Sequence, residues 1–201
     1  SGRYLHALGM RWPAAWFLGC TLIACDPDPS IRYALDRHGR TRALVSMHDD
    51  IKHGAVVLYD TAGAPVLNGT YRDDRRDGTW WGLSAQGRPV SLSTYVNGSK
   101  DGPQCQWWPN GRLRRAEHYR MGVPHGLLLR FKRDGRPEQY TELSEGVNHG
   151  RHVRWWYEGD ALTSILLANF DHGANTGRWA EIAPDGRLIW AAEFHQGQLV
   201  R

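Results

Sequence analysis

Ten histidines are the residues of this chain best suited to chemistry, because an imidazole can bind a metal or carry a proton near neutral pH. His53, His125 and His149 occupy one repeated position, each directly before a glycine. In the strand arrangement inferred below, neighbouring members of this column lie about 9.6 Å apart, at ~4.8 Å per strand. Zinc holds each histidine nitrogen at ~2.1 Å, and no CxxC or HExxH pattern supports His149 with His152. We therefore expect solvated turn histidines, with no metal and no other cofactor.

Motifs for nucleophilic or phosphate chemistry are missing from the sequence. It contains no GxSxG nucleophile elbow, no P-loop and no GxGxxG after a strand-like segment. The carboxylates are scattered over glycine-rich stretches, as at Asp73, Asp101 and Asp134, where short polar side chains favour turns. We expect a non-enzymatic protein without catalytic residues.

The tryptophans point to binding rather than catalysis. Side chains alternate between the two faces of a strand, so positions of the same odd or even parity share a face. Trp81, Trp107 and Trp155 have the parity of the apolar residues around them, so we expect them in the core. The opposite parity of a half-solvated sheet is normally polar, and clustered exposed tryptophans there would mark a partner site. The alternative is a coiled sheet that buries both parities. The candidate binding face on the opposite parity consists of Trp80, Trp108, Trp156, Trp179, Arg130 and Arg154.

The elements that position these side chains follow from a glycine repeat. One series of glycines recurs every 24 residues from Gly54 to Gly150, and a second series lies nine residues after the first. Three inserted residues between Gly159 and Phe170 delay the last unit. Columns that keep one phase over about seven units indicate a repeat protein. The turn glycines of the second series are Gly39, Gly63, Gly87, Gly111, Gly135, Gly159 and Gly186.

Each unit has the pattern of a β-hairpin. Apolar and polar residues alternate on both sides of the turn glycine, and this period of two predicts half-buried strands. At Asn110-Gly111 and Asp134-Gly135 we expect type I′ turns, because these residues tolerate positive φ. The parity of the second half shifts once, which a β-bulge would accommodate. The predicted fold class is all-β, an elongated antiparallel β-meander of repeated hairpins over residues 30–201.

A third column of mainly aromatic residues lies eight residues after the turn glycine, as at Tyr71 and Tyr95. The resulting pattern, G-x-W/F-x-x-[YW]-x-x-x-G-[RK]-L followed by Y-x-x-G-x-x-x-G, resembles the bacterial variant of the MORN repeat (membrane occupation and recognition nexus). Asp74 departs from it by replacing a junction glycine. The resemblance implies a MORN-like array that serves as a binding scaffold, and some bacterial members are described as antitoxin-like. The closest copy is Trp107-Trp108-Pro109-Asn110-Gly111-Arg112-Leu113 with Tyr119, Gly122 and Gly126.

The N-terminal segment has the composition of a targeting signal. Residues 14–24 form an apolar run of 11 residues, shorter than the ~20 that a spanning helix needs and typical of a signal peptide. The run ends in Leu22-Ile23-Ala24-Cys25, which resembles the lipobox of bacterial lipoproteins and implies a diacylglyceryl group on the Cys25 thiol. We expect a signal peptide over residues 1–24, with 1–9 as an upstream extension of it, and a lipidated tether over residues 25–29. An unlipidated signal peptide or a buried apolar helix is the alternative.

Charge limits the classes of partner. The formal net charge is only +4, and basic residues alternate with acidic ones over residues 72–77, so the contiguous basic stripe of a nucleic-acid binder is missing. We expect no nucleic acid, a lipid anchor in the bacterial cell envelope and an unidentified protein partner. The alternatives are a glycan or phospholipid surface, or an antitoxin-like or immunity-like role against a toxin. A phospholipid surface would suit the five arginines that follow turn glycines. These arginines are Arg40, Arg88, Arg112, Arg136 and Arg187.

Overall fold

The computed structural model describes residues 30–200, and this part of the chain is built of strands and turns without helices. Its 15 strands lie in chain order in one sheet, and neighbouring strands are antiparallel. The prediction of an all-β meander is confirmed. The expected signal peptide and tether, with Cys25, lie outside the described residues. The strands are β1 Ile31–Leu35, β2 Thr41–His48, β3 Ile51–Tyr59, β4 Pro65–Arg72, β5 Arg75–Leu83, β6 Pro89–Val96, β7 Ser99–Trp107, β8 Leu113–Arg120, β9 Val123–Phe131, β10 Pro137–Ser144, β11 Val147–Glu158, β12 Ala161–Asp171, β13 Ala174–Ile182, β14 Leu188–His195 and β15 Gln198–Leu199.

One face of the sheet, which we call the Trp81 face, carries the apolar rows predicted as the core. Directly opposite residues of antiparallel strands share a face, and Leu92 lies opposite both Trp81 and Cys105. The Trp81 and Trp107 rings stack with their centroids 6.1 Å apart. Cys105 is half-buried, and burial raises the pKa of its thiol. Cys105 therefore packs as a small apolar side chain.

The other face, the Trp80 face, is the more deeply buried of the two. Trp80, Leu128 and Ala168 on it are 3–8 % exposed, whereas Trp81, Trp107 and Trp155 are only half-buried, which corrects their expected place in the core. Trp80 meets Tyr71 edge to face at 5.0 Å and Tyr95 at 6.3 Å between ring centroids. Edge-to-face pairs of this kind stabilise beyond the area they bury. A second cluster forms around Trp179 in the last repeats. The third-column aromatics therefore lie on the Trp80 face and fill the space between its tryptophans.

Every repeat contains a β-bulge between its two strands, and this bulge shifts the alternation of side chains between the two faces by one residue. Gln106 pairs with Arg115 and Trp107 with Leu113, so Arg114 has no opposite residue. This is the parity shift that the sequence requires. A second irregularity lies at Gly102, whose φ of 94° is unfavourable for residues with a side chain. A Cβ added there would lie 2.8 Å from Thr94 Oγ1, which explains why glycine starts the repeat.

The two ends of the hairpins use different turns, and the expected placement of type I′ turns is wrong. At Asn110-Gly111 only the glycine has positive φ, and its N–H donates to the Trp108 carbonyl at 2.8 Å. That geometry is a type I turn followed by a left-handed glycine. Two consecutive positive φ angles, the mark of type I′, occur at the opposite end, as at Asn97 (49°) and Gly98 (86°). Five such turns end in glycine, which has no Cβ to hinder positive φ.

The insertion changes one hairpin without breaking the sheet. β11 and β12 have 12 and 11 residues, against 9 and 8 in β9 and β10. Gly159 and Asp160 alone connect the longer strands, and Gly159 has a φ of 57°. Glycine at the first central position favours a two-residue hairpin turn. The added residues therefore extend the strands and shorten the turn.

Candidate binding face

Trp80 does not belong to an exposed binding face, so this part of the sequence prediction is wrong. Trp80 is 3 % exposed, and its Nε1 donates to the Thr70 carbonyl at 3.2 Å. Trp179 is half-buried and donates to the Asn169 carbonyl at 3.0 Å. Its ring lies 5.2 Å from the Phe170 ring and 5.1 Å from that of Phe194. The third-column aromatics share the face of both indoles, and they cover Trp80 fully and Trp179 in part.

Trp108 has a different environment because it begins the turn that joins the two strands of its own hairpin. We call turns of this kind, which contain the second-series glycines, inner turns. Its backbone N–H donates to the Arg112 carbonyl at 2.8 Å, and its indole Nε1 donates to the Phe131 carbonyl of the next hairpin at 3.1 Å. Arg114, the bulged residue, places its guanidinium carbon 4.6 Å from the ring centroid, within the range of a cation–π interaction. Trp108 is thus a half-buried aromatic surface, held by two hairpins and covered by a cation.

Trp108 borders two adjoining depressions of about 590 and 460 Å³. We call the smaller one the Trp108 groove. It joins the inner ends of β7, β8, β9 and β10, and it shares Gln106, Trp108 and Arg114 with the larger depression. The lining residues of the Trp108 groove are Gln106, Trp108, Arg114, Arg115, Arg130, Phe131, Lys132, Arg133 and Glu138.

The Trp108 groove carries an excess of positive charge. Five of its lining residues are arginine or lysine, and Glu138 is its one carboxylate. Arg115 binds Glu117 at 2.5 Å, but within residues 30–200 no salt bridge engages Arg114, Arg130 or Arg133. Guanidinium groups bind carboxylates through two parallel hydrogen bonds. The groove therefore offers aromatic surface and several cations to an anionic ligand.

Trp156 and Arg154 form a second, separate pair. Trp156 is 42 % exposed, and the Arg154 guanidinium carbon lies 4.3 Å from its ring centroid. Arg130 and Arg154 both lie opposite Gln139, so they share one face, as the parity predicted. Neither residue of the second pair lines the Trp108 groove. On this face, Trp108 and Arg130 line the groove, and Arg154 with Trp156 lies beside it.

The arginines that follow turn glycines are partly neutralised by carboxylates. Arg136 binds both Asp134 and Asp160, the latter at 2.8 Å. Its hydrogen bond lowers the pKa of Asp134 to about 2. Arg40 binds Asp36 at 3.0 Å. Arg40 and Arg136 are therefore less available to a phospholipid surface.

Sequence reasoning missed most of the cations in the Trp108 groove. Arg114 and Arg115 differ in parity, and the bulge brings both to the groove. Lys132 and Arg133 belong to the neighbouring inner turn, and parity does not predict their position. The available signal was the density of basic residues in 112–115 and 130–133, around two consecutive inner turns.

Comparison with known proteins does not assign this chain to a family. No family model matches this chain, and a search of curated proteins found no match. Within residues 30–200, no helix is long and apolar enough to cross a membrane.

Proposed function

We propose that this chain is a non-enzymatic, lipid-anchored protein of the bacterial envelope whose MORN-like array is a scaffold for a partner protein. In this proposal the Trp108 groove receives an acidic segment of the partner. The observation that carries the proposal is the excess of cations around a fixed, half-buried tryptophan at the junction of two depressions. Tryptophan and arginine are the residue types most enriched among the residues that dominate protein–protein binding.

The rigidity of the array supports such a role. The Trp108 indole and the Asn110 side chain each donate a hydrogen bond to a backbone carbonyl of the next hairpin, at 3.1 and 2.7 Å. The groove is thus held in shape before a ligand arrives, which lowers the entropic cost of binding. Its positive charge would attract an acidic partner and repel a basic one.

The anchor is tested by metabolic labelling with a palmitate analogue. We expect the full-length protein to take up the label and Cys25→Ser to lose it, because the thiol is the attachment point. A mature protein that keeps residues upstream of Cys25 would contradict the anchor and leave the groove proposal to its own test.

The groove is tested by selecting 15-residue peptides from a random displayed library on the immobilised protein. We expect selected peptides rich in aspartate and glutamate, and weaker binding at high salt because ions screen exposed charges. Arg130→Glu should reduce the affinity for a selected peptide at least tenfold in calorimetry. Sequences without acidic enrichment would contradict the proposed ligand.

The matched control is a substitution in the second tryptophan–arginine pair. Arg154→Glu alters the same residue type on the same face but outside the groove, so the affinity should stay within about twofold of wild type. A parallel experiment measures binding of the protein to vesicles of phosphatidylglycerol. Binding to vesicles without peptide selection would replace the protein-partner proposal with the phospholipid alternative.

A further inference from the structure

The histidine column has a structural role that its sequence position did not reveal. His149 Nδ1 lies 3.3 Å from the backbone nitrogen of His172, the first residue of the next type I′ turn, and accepts its N–H. In other repeats aspartates do the same. Asp77 accepts from Asn97 at 3.4 Å, and Asp101 accepts from Met121 at 3.2 Å. In these three repeats the residue before the first-series glycine thus binds the turn of the following repeat.

In one repeat this contact gathers three side chains with metal-binding atoms. His149, Asp171 and His172 each offer a nitrogen or oxygen, and these atoms lie within 4.8 Å of one another. Asp171 Oδ1 lies 3.4 Å from His149 Nδ1 and 2.7 Å from His172 Nδ1. The two imidazole rings meet at 4.6 Å between centroids. This cluster joins two different columns, whereas His53, His125 and His149 belong to one.

Two acceptor atoms of this cluster lie close together. Because His149 Nδ1 accepts the His172 N–H, it carries a lone pair rather than a proton. That lone pair and the Asp171 carboxylate oxygen, which is also an acceptor, stand 3.4 Å apart. Two ligands of a tetrahedral ion at ~2.1 Å from the metal are separated by about 3.4 Å. The spacing of this pair therefore already suits a shared ion.

We propose that His149, Asp171 and His172 form a surface site for a divalent transition metal of the zinc class. Imidazole nitrogens with a carboxylate favour zinc, copper or nickel over magnesium and calcium, which prefer ligand sets made of oxygen. Three protein ligands leave one tetrahedral position for water or for a group from another molecule. Binding requires His149 Nδ1 to release the His172 backbone N–H, because one lone pair cannot serve both the hydrogen bond and the metal. His172 Nδ1 must also give up its proton, and its 2.7 Å contact with Asp171 must open by several tenths of an ångström.

The other repeats explain why this site occurs once among residues 30–200. His53 holds the equivalent position, but its Nδ1 contacts Asp73 Oδ1 at 3.1 Å, and the turn there has aspartate where the metal site has His172. The repeats with Asp77 and Asp101 have no histidine in the column. In the described part of the chain, the repeat of His149 alone places two imidazoles against one carboxylate.

The test is calorimetric titration of the full chain with ZnCl₂, with MgCl₂ as a parallel titration. We expect a zinc site with one-to-one stoichiometry and no comparable magnesium binding. His172→Asn should weaken this site about tenfold or more, since changes around a metal site typically cost 10- to 100-fold in affinity. Asparagine occupies the equivalent turn position at Asn97 with a φ of 49°, against 46° at His172, so the variant should keep the turn.

Asp171→Asn gives an independent check because it preserves side-chain volume and removes the charge, and it should also weaken zinc binding about tenfold or more. His53→Asn is the matched control at the equivalent column position, and it should leave the one-to-one site unchanged. Zinc should raise the Tm of wild type and not that of His172→Asn, since binding only to the folded state stabilises it. Equal zinc affinity in wild type, His172→Asn and Asp171→Asn would overturn the proposal, as would the lack of any zinc site.

Discussion

Two hairpins of this chain carry a Trp-Trp pair at the same distance from their first glycine, and they treat the second tryptophan differently. In the regular hairpin, Trp108 begins the turn, and its indole donates to the Phe131 carbonyl of the next hairpin. In the hairpin with the insertion, β11 continues through Trp156, which lies opposite Ser164 and is 42 % exposed. The same residue at the same column thus becomes a fixed element of a groove or an exposed strand residue. Turn length decides which, because it determines where the strand ends.

A third pair, Trp80-Trp81, shows how the distance of a tryptophan from its first-series glycine affects its burial. Trp80 stands two residues after its first-series glycine and is almost fully buried on the Trp80 face, whereas Trp108 and Trp156 stand six residues after theirs. Side-chain type alone therefore predicts little about the contribution of a tryptophan. Its position relative to the bulge and the turn matters more.

The largest expected effect is loss of stability on removing Trp80. Trp80→Ala should cost about 3–5 kcal/mol in free energy of unfolding, because it empties a packed site among aromatic rings. Trp156→Ala should cost well under about 1 kcal/mol, as surface substitutions usually do. Urea denaturation followed by circular dichroism measures both. Equal losses would mean that exposure does not separate the two tryptophans.

The next effect separates Trp108 from Trp156 in binding. Trp108→Ala should weaken binding of an acidic peptide selected on the wild type by about 2 kcal/mol or more, the usual cost of truncating an interface anchor. Trp156→Ala should leave the affinity within about twofold, since its side chain lies outside the groove. Calorimetry on both variants gives the comparison. A similar loss in both would restore a continuous strip as the binding face.

The turn of the regular hairpin gives a smaller effect. Gly111 has a φ of 82° and nothing within 4 Å of an added Cβ, so a substitution there is disfavoured by the backbone alone. Gly111→Val should therefore cost about 1–2 kcal/mol. Gly111→Asn should cost less, because asparagine tolerates the left-handed region, and Arg112→Ala less again. Thermal unfolding of the three variants ranks them, and equal Tm values would contradict the turn assignment.

The smallest effect concerns the ion pairs that join the regular hairpin turn at Asp134 to the longer hairpin at Asp160 through Arg136. The pKa of Asp134 is lowered from 3.8 to about 2 in the folded protein. A lowered carboxyl pKa contributes stability above the unfolded value, and this contribution is lost as the pH falls from about 4 towards 2. Arg136→Ala should return the Asp134 pKa towards its usual range and remove this part of the acid sensitivity. Carboxyl NMR titration of wild type and variant measures the pKa, and Arg112→Ala is the control.

The sequence was sufficient to predict the fold because the same local signals recur in every repeat. Glycines recurring every 24 residues, together with alternating apolar residues, predict strands, their number per unit and the bulge. The turn types were predicted less well. Asn-Gly supports either a type I′ turn or a type I turn with a left-handed glycine, and the choice depends on strand register at the bulge.

The functional surface depended on the tertiary structure. Parity placed Trp80, Trp108, Trp156 and Trp179 on one face, but burial in a single-layer sheet is decided by the side chains of neighbouring strands. The Phe170 ring, nine residues before Trp179, lies against its indole, and Arg114 reaches Trp108 because a bulge turns it there. His149 and His172 are 23 residues apart, and they meet only because the antiparallel return of the chain places each turn beside the strand of the preceding repeat. The periodic sequence by itself determined the repeating hairpins, because their signals are local, whereas the sites arise between repeats, where only the register of the folded sheet brings side chains together.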